Sequence, residues 1–459
     1  MKKETAFKLI LMVILPLSMY AICQANGLNN QMSIYVAITF WAIYLWTTSL
    51  MSATMVGIFL PVAYLLSGVA SANVVFTPWA STVPWLCLSG VLIGQMLLKS
   101  GLAVRLAYKC MLLAGDNFYK ILLGLMLAGL IVAPLIPTTL GKMAIFAALG
   151  IGICEAMKLE PDSKESAVLM LTCLFAVAAP AYAYLTGCVH IPAAIQLMTN
   201  VSGIEVSWFD YLYHNFIPAF AYTVICFVIP ILVLKPQNLQ GTKALVVEKY
   251  EELGKISWQE KKAICILVLT LAFLMTDSLH KINPAWGMAF IALLLFVPSI
   301  DLLEEQDFGK TNFNTLFFIA GTMSIGSVAT EIGMAKEIAE TIAESLRFDM
   351  PIVYLIVSYF FGIFTLIFLT PLTGMATMSV PLTELSMQVG MDPRVIVYSF
   401  NFGMDQYFFP YQYSVVLFLY SFKRIRLKYF VQVLSVKAVV TSLVFFPLAM
   451  LYWHIIGFW

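Results

Sequence analysis

The chain has 459 residues, of which 61% are hydrophobic and only 11% are charged, and its mean hydropathy is +0.90. Soluble domains carry about a quarter charged residues, so this composition excludes a soluble globular protein and indicates a polytopic membrane protein. The net charge of +1 is uninformative, and we find no basic face of the kind that nucleic-acid binding requires. Eight cysteines stand singly in apolar runs with no CxxC motif, which indicates buried thiols rather than disulfides or metal ligands.

Apolar runs separated by polar or Gly/Pro-rich stretches can be followed along the whole chain. They lie at about 7–23, 33–50, 53–70, 82–98, 121–157, 166–199, 212–234, 262–279, 286–300, 313–330, 352–389, 394–421 and 430–457. The basic start and the first run resemble a signal peptide, but the many later spans favour a retained N-terminal helix within 1–32. The hydrophilic stretch 236–261 is expected to link two halves, 33–235 and 262–459.

Two of the runs, 121–157 and 352–389, are too long for one span, and a cluster of Pro, Thr and Gly interrupts each of them. Backbone that leaves a helix within a membrane is tolerated only inside protein or beside a watery cavity. We therefore interpret both runs as re-entrant helical hairpins. The runs 166–199 and 394–421 are interpreted as single spans that are broken at 179–192 and 409–414. The two hairpin clusters are Pro137-Thr138-Thr139-Leu140-Gly141-Lys142 and Pro371-Leu372-Thr373-Gly374-Met375.

Three features recur in the same order in the two halves. They are the pattern Gly94-x6-Gly101-Leu-Ala103, which returns as Gly326-x6-Gly333-Met-Ala335, the hairpin clusters, and the breaks near His190 and Tyr413. An odd number of crossings separates the copies. The sequence therefore predicts an all-α membrane protein with about 11 transmembrane helices, two re-entrant hairpins and an inverted-topology repeat, as in alternating-access carriers.

Basic residues indicate the orientation in the cytoplasmic membrane. They gather at the N-terminus, after the fourth run, in the linker 236–261 and at 423–428, whereas the loops at 24–32 and 71–81 carry no charge. The positive-inside rule therefore places the N-terminus and the linker in the cytoplasm and the C-terminus outside.

The chain resembles the divalent-anion:sodium symporter family of dicarboxylate, citrate and sulfate carriers, over nearly its whole length after the first helix or two. The family's Ser-Asn-Thr hairpin tips fall on 137–139 and 371–373, where only Thr139 and Thr373 match. Matches in the broken spans are Thr186, Pro192, Ala194 and Ile195 in the first and Pro410 in the second. The resemblance implies a homodimer whose tips and breaks bind the anion and sodium. Because the tip serines and asparagines are absent, coupling to Na+, to protons or to anion exchange stays open.

The tips and breaks contain the expected substrate-binding residues, which are Pro137, Thr138, Thr139, Lys142, Thr186, Thr373, Gln412, Tyr413 and Ser414. Lys142 is the most informative of them, because a lysine deep in a membrane segment is costly unless it faces a cavity or a partner. One hypothesis is that its ammonium replaces a bound sodium as the positive charge that an anionic substrate meets. The alternatives are that Lys142 snorkels to the cytoplasmic surface or pairs structurally with an acid.

Two further ionisable residues are candidates for coupling. Asp405 is interpreted as a proton carrier, as the counter-ion of Lys142, or as an inert hydrated acid near a span end. His190 is suited to relay protons or to donate a hydrogen bond to an anion. The alternative is a histidine that is hydrogen-bonded to freed backbone. The aromatic second break, 407–414, favours an organic anion larger than sulfate, although an interfacial aromatic belt is the alternative.

The leading expectation is a secondary transporter of small anions, most of all di- or tricarboxylates, that works by alternating access. An inorganic divalent anion such as sulfate is the alternative substrate. A passive anion channel needs a continuous polar path and a membrane-embedded transferase needs polar catalytic clusters near one face, and the sequence favours neither. No enzyme, no metal site beyond the open question of Na+ and no nucleic-acid partner is predicted; the partners are the anion, the lipid bilayer and a second copy of the chain.

Overall fold

The computed structural model describes residues 3–239, 242–345 and 350–458, and helices account for most of these ranges. The first part of the chain forms α1 (Lys3–Ala25), α2 (Asn30–Thr48), α3 (Ala53–Leu66), α4 (Ala72–Val75), α5 (Thr77–Ala80), α6 (Thr82–Lys99) and α7 (Leu102–Ala114). Next come α8 (Phe118–Val132), α9 (Thr139–Ala156), α10 (Lys164–Ala178), α11 (His190–Ser202) and α12 (Trp208–Leu234).

The second part begins with α13 (Thr242–Glu252), α14 (Trp258–Met275), α15 (Asp277–His280), α16 (Pro284–Leu294), α17 (Glu305–Gly309), α18 (Phe313–Glu331) and α19 (Met334–Ser345). It ends with α20 (Pro351–Thr365), α21 (Pro371–Gln388), α22 (Pro393–Gly403), α23 (Ser414–Ser421), α24 (Leu427–Val440) and α25 (Phe446–Ile455). A π-helical segment, Thr441–Phe445, joins α24 to α25 without a break in the span.

Length and composition identify the helices that can cross a membrane. Among the described residues, seven helical stretches are long and apolar enough to span a bilayer, and four shorter helices are apolar as well. The stretch formed by α10 and its continuation to Ala183 is 100% buried, whereas α1 is only 6% buried. The helix α10 is therefore the centre of the molecule and α1 lies at its periphery. The predicted class, an all-helical polytopic membrane protein, is confirmed.

Each predicted hairpin run forms two helices around the helix that follows it in the chain. The helix α10 packs against both α8 and α9, and α22 packs against both α20 and α21. Glycines allow the closest contacts: a Cβ on Gly129 would lie 2.0 Å from the carbonyl oxygen of Ala176, and one on Gly362 would lie 2.6 Å from that of Phe400. In each run a glycine of the first helix therefore lies against the helix that follows the run, α10 in one case and α22 in the other.

Helices of the two predicted halves also pack against each other. The helix α11 packs against α21, and α23 packs against α9. In the same way α3 packs against α18, and α16 packs against α6. Hairpins and broken spans of one half are thereby held by helices of the other.

The linker is fixed to the first half by a buried ion pair. Arg105 of α7 donates to the Glu260 carboxylate at 2.5 Å, and its guanidinium also donates to the carbonyl oxygens of Leu253 and Gly254, each at 3.0 Å. The side chains of Arg105 and Glu260 are only 7% and 5% exposed. Outside the spans, hydrogen bonding to Lys99 holds the pKa of Asp307 below its ordinary value and attaches α17 to the end of α6.

Candidate functional site

The first hairpin turns over residues 133–138 between α8 and α9. Pro137 is buried against α6, where a Cβ on Gly90 would lie only 1.9 Å from the Pro137 Cγ atom. Thr138 is half-buried and Thr139, the first residue of α9, is buried. The tip is therefore inserted into the protein, and it fits because position 90 has no side chain.

In the first broken span a 3-10 turn, Ala179–Ala183, follows α10, and irregular backbone continues to the start of α11. Thr186 lies in this irregular part and is completely buried. Its hydroxyl donates to the carbonyl oxygen of Pro134 at 2.7 Å and accepts from the Trp208 indole at 3.1 Å. In this conformation Thr186 connects the break to the hairpin turn and to α12, and its role in substrate binding stays a prediction.

Lys142 points into the same break. Its side chain is 1% exposed, and its ammonium donates to the carbonyl oxygen of Gly187 at 2.7 Å. One turn earlier on α9, the Thr139 hydroxyl lies 3.5 Å from the Cys188 sulfur. Such burial and a backbone partner do not fit a lysine that snorkels to the surface. They place the amino group of Lys142 on a carbonyl that the break has freed from helical hydrogen bonding.

The second broken span opens earlier than the sequence indicates. The helix α22 ends at Gly403, and the chain stays irregular up to α23 apart from the 3-10 turn Pro410–Gln412. Asp405 consequently lies inside the break rather than in the helix before it. The early start was not predicted because residues 404–409 are mostly apolar and aromatic and contain no Gly or Pro to interrupt a helix.

The carboxylate of Asp405 has a buried partner that the sequence reasoning missed. The ammonium of Lys437, on α24, lies 3.3 Å from the Asp405 carboxylate and also donates to the Asp405 backbone carbonyl. The Tyr222 hydroxyl donates to the same carboxylate. The lysine and aspartate side chains are 1% and 3% exposed. The counter-ion of Asp405 is thus Lys437, and the pairing of Asp405 with Lys142 is wrong for this conformation. A lone lysine inside the last apolar run was the signal that could have identified it.

A hydrogen-bond network continues from this ion pair into the last span. The Gln406 amide donates to the Tyr222 hydroxyl at 3.4 Å, and its carbonyl accepts from the Thr441 hydroxyl at 2.8 Å. Thr441 is the first residue of the π-helical segment. Such segments are rare and often occur at functional sites, and here the distortion faces the second break.

Two buried polar groups of the first broken span have no hydrogen-bond partner among the described residues. They are the Nε2 atom of His190 and the hydroxyl of Tyr182, whose side chains are 3% and 1% exposed and whose rings lie 5.9 Å apart. An unpaired buried polar group is costly, so an atom left in this condition is a candidate contact for a ligand. His190 is therefore not simply hydrogen-bonded to freed backbone through Nε2. Tyr182 was not singled out by the sequence reasoning.

The second tip resembles the first in its position against a break. Thr373 is buried near the start of α21, and its hydroxyl shares a hydrogen bond of 3.1 Å with that of Thr370, the residue that caps the helix. A Cβ on Gly374 would lie 2.4 Å from the Met404 methyl group, so this tip lies against the start of the second break.

The remaining predicted ligands belong to the second break. The side-chain carbonyl of Gln412 accepts from the backbone N–H groups of Phe408 and Phe409, at 2.6 and 2.8 Å, so it shapes the break itself. The Tyr413 ring stacks on that of Tyr407 with centroids 5.3 Å apart. Ser414 is exposed and begins α23. The substrate contacts of these three residues stay predictions.

Most of the tip and break residues are closed to solvent. Those that are buried are Pro137, Thr139, Lys142, Thr186, His190, Thr373, Asp405 and Gln412. A surface cleft of about 670 Å³ lies elsewhere, against α13 of the linker. Among the described residues no group of three or more His, Cys, Asp or Glu side chains could hold a metal ion. These buried side chains are therefore not in contact with solvent in this conformation.

Buried charges and broken helices within a polytopic helical protein are typical of a membrane transport protein. The family profile described as "Sodium:sulfate symporter transmembrane region" matches residues 3–459, and the chain belongs to this family. It is accordingly an integral membrane protein of a transporter class, not an enzyme, and the family resemblance drawn from the tips and breaks is confirmed.

Several known proteins are similar to the chain. It is 24% identical to "Uncharacterized transporter" of Haemophilus influenzae over 59% of this chain and 58% of that protein. It is 20% identical to "Dicarboxylate transporter 1, chloroplastic" of Spinacia oleracea over 65% of this chain and 55% of that protein, so the matches span little more than half of these two relatives. The crystal structure of the Alcanivorax borkumensis YdaH transporter shares the fold, with a TM-score of 0.58 and 11% identity over 94% of this chain and 99% of that chain.

Proposed function

We propose that the protein is a secondary active transporter that moves small anions, most of all di- or tricarboxylates, across the cytoplasmic membrane by alternating access. The observation that carries this proposal is the pair of broken spans, α10–α11 and α22–α23, each of which packs between two hairpin helices. Discontinuous helices of this kind form the substrate and ion sites of secondary transporters. A passive channel would instead need an open polar path.

An inverted repeat is supported by the reciprocal packing of the two halves, 33–235 and 262–459. Each broken span ends on a hairpin helix of the other half, α11 on α21 and α23 on α9. We infer that the hairpins enter from opposite sides, with the N-terminus in the cytoplasm and the C-terminus outside. A homodimer, as the family resemblance implies, completes the proposed assembly.

An anionic substrate is favoured by the charge around the breaks. Lys142 and Lys437 bring two positive charges, whereas Asp405 brings one negative charge, and all three side chains are buried. One positive charge therefore remains unbalanced, and it favours the binding of an anion. The helices α9 and α11 also begin beside the first break, so their free N–H groups and positive dipole ends favour an anion there.

Carboxylates are favoured over sulfate by the aromatic second break and by the name of the spinach relative. The description of the family keeps sulfate as the second candidate. Uptake of radiolabelled succinate, citrate and sulfate into proteoliposomes distinguishes the two. We expect carboxylate to accumulate against its gradient in wild type and in Lys336→Ala, because Lys336 is exposed on α19 and lies outside both breaks. Equilibration without accumulation, when a sodium gradient, a proton gradient and internal counter-anion are each supplied in turn, would identify a channel, and accumulation of sulfate alone would overturn the carboxylate assignment.

A further inference from the structure

In each of the two broken spans, a buried lysine is hydrogen-bonded to a backbone carbonyl of the break. In the first break the ammonium of Lys142 donates to the backbone carbonyl of Gly187, and in the second the ammonium of Lys437 donates to the backbone carbonyl of Asp405. Both lysine side chains are 1% exposed. Each break thus has one freed carbonyl that is already bound to a buried cationic side chain.

Freed carbonyls in broken transmembrane helices are the usual ligands of coupling cations, because they are strong acceptors without a helical partner. A free cation at these carbonyls would have to share them with an ammonium. At the first break, two unit charges about 4 Å apart in a medium with an effective dielectric constant of about 20 repel each other enough to weaken binding roughly a thousandfold. At the second break the Asp405 carboxylate offsets this repulsion, and there the ammonium of Lys437 excludes a cation by occupying the carbonyl itself. The sodium ion that the family description implies therefore does not fit the residues of either break as they stand here.

We propose that Lys142 and Lys437 are tethered cations that occupy the places of two coupling sodium ions, and that the protein is a sodium-independent anion exchanger. A tethered amino group cannot diffuse away as a sodium ion can, so the site carries its positive charge whenever the lysine is protonated. Asp405 neutralises Lys437, but no acidic side chain among the described residues forms an ion pair with Lys142, so the empty site keeps an uncompensated buried positive charge. The empty site therefore reorients slowly across the membrane, and net flow requires an anion on the return step.

The cation part of this inference can be tested without any transport assay. Thermal unfolding of the detergent-purified protein is measured in NaCl and in choline chloride at equal ionic strength, from 0 to about 100 mM, where a bound cation would stabilise the fold by mass action. We expect superimposable curves for wild type and for Lys336→Ala. Sodium-specific stabilisation of wild type would overturn the proposal even if no substrate were known.

The exchange part rests on the proposed function and is tested in sodium-free proteoliposomes. We expect internal unlabelled anion to accelerate uptake of labelled anion at least about tenfold, and Lys142→Ala to weaken anion affinity by about 10- to 100-fold, because a charged hydrogen-bonding partner is lost. Lys142→Arg keeps the charge and should retain part of the exchange, which separates loss of charge from loss of fold. Uptake driven by a sodium gradient without acceleration by internal anion would refute exchange, whereas uptake of no anion under any condition would refute the proposed function itself.

Discussion

The buried pair of Lys437 and Asp405 gives the most quantitative prediction. Their charged atoms are 3.3 Å apart with side chains 1% and 3% exposed, which corresponds to an attraction of about 5 kcal/mol at an effective dielectric constant of about 20. Because desolvation offsets most of this attraction, the pair adds little by itself, but removal of one partner strands a buried charge. We expect Lys437→Met to lower the free energy of unfolding by about 3–5 kcal/mol.

The two single substitutions should differ. In Asp405→Asn the ammonium of Lys437 keeps the backbone carbonyl of residue 405 as a partner, whereas in Lys437→Met the charged carboxylate keeps neutral hydroxyl donors such as Tyr222 and no cation. The lysine substitution should therefore cost more than the aspartate substitution. The double variant Lys437→Met/Asp405→Asn should recover at least about 2 kcal/mol relative to Lys437→Met, since no charge is then left unpaired.

The assay is denaturant unfolding in detergent, followed by tryptophan fluorescence, on the four members of this double-mutant cycle. Lys336→Met is the matched control, because Lys336 is exposed and should change the free energy of unfolding by less than about 0.5 kcal/mol. If Lys437→Met costs less than about 1 kcal/mol, or if the double variant is no more stable than that single variant, the pair is not the buried charge compensation described above.

Three further substitutions probe the first break. Gly187→Ala should cost more than about 2 kcal/mol and displace the acceptor of Lys142, because its Cβ would lie 1.9 Å from a backbone carbonyl oxygen, whereas Gly152→Ala in α9 meets no atom within 4 Å. Tyr182→Phe should leave unfolding unchanged and weaken anion binding about tenfold, because the hydroxyl has no hydrogen-bond partner among the described residues. Thr186→Val should lower the free energy of unfolding by about 1–3 kcal/mol, because two buried hydrogen bonds are lost.

For each of these three variants, one measured result would contradict the prediction. If Gly187→Ala unfolds at the same denaturant concentration as wild type, the backbone of the break has shifted to make room for the added Cβ atom. Equal anion affinity for Tyr182→Phe and wild type, measured by anion-dependent thermal stabilisation, would remove the Tyr182 hydroxyl from the site. For Thr186→Val, Thr186→Ser is the conservative partner, and equal stability of the two would exclude the hydroxyl as the source of the effect.

The sequence predicted the parts of this protein that depend on local composition. Apolar runs of sufficient length require membrane-spanning helices, and clusters of Pro, Thr and Gly within them require a departure from the helix, as at 133–138. Thr139 and Thr373 lie beside those departures, as their positions in the two tips indicate. The class of protein and its family followed from these features and are confirmed.

Composition does not show which side chains meet when they are far apart in the sequence. Lys437 and Asp405 meet because α24 packs against α12 and α10 beside the second break, and the early end of α22 leaves Asp405 free to face α24. Lys142 was recognised as costly, yet its partner is a backbone carbonyl, which has no sequence signal. The sequence by itself therefore determined which segments are apolar enough to span a membrane and that their helices are interrupted, since burial in lipid acts on each segment separately, although it placed the start of the second break too late in the chain. Only the tertiary structure decided which freed carbonyl each lysine binds, because that depends on distances between helices that are remote in the chain.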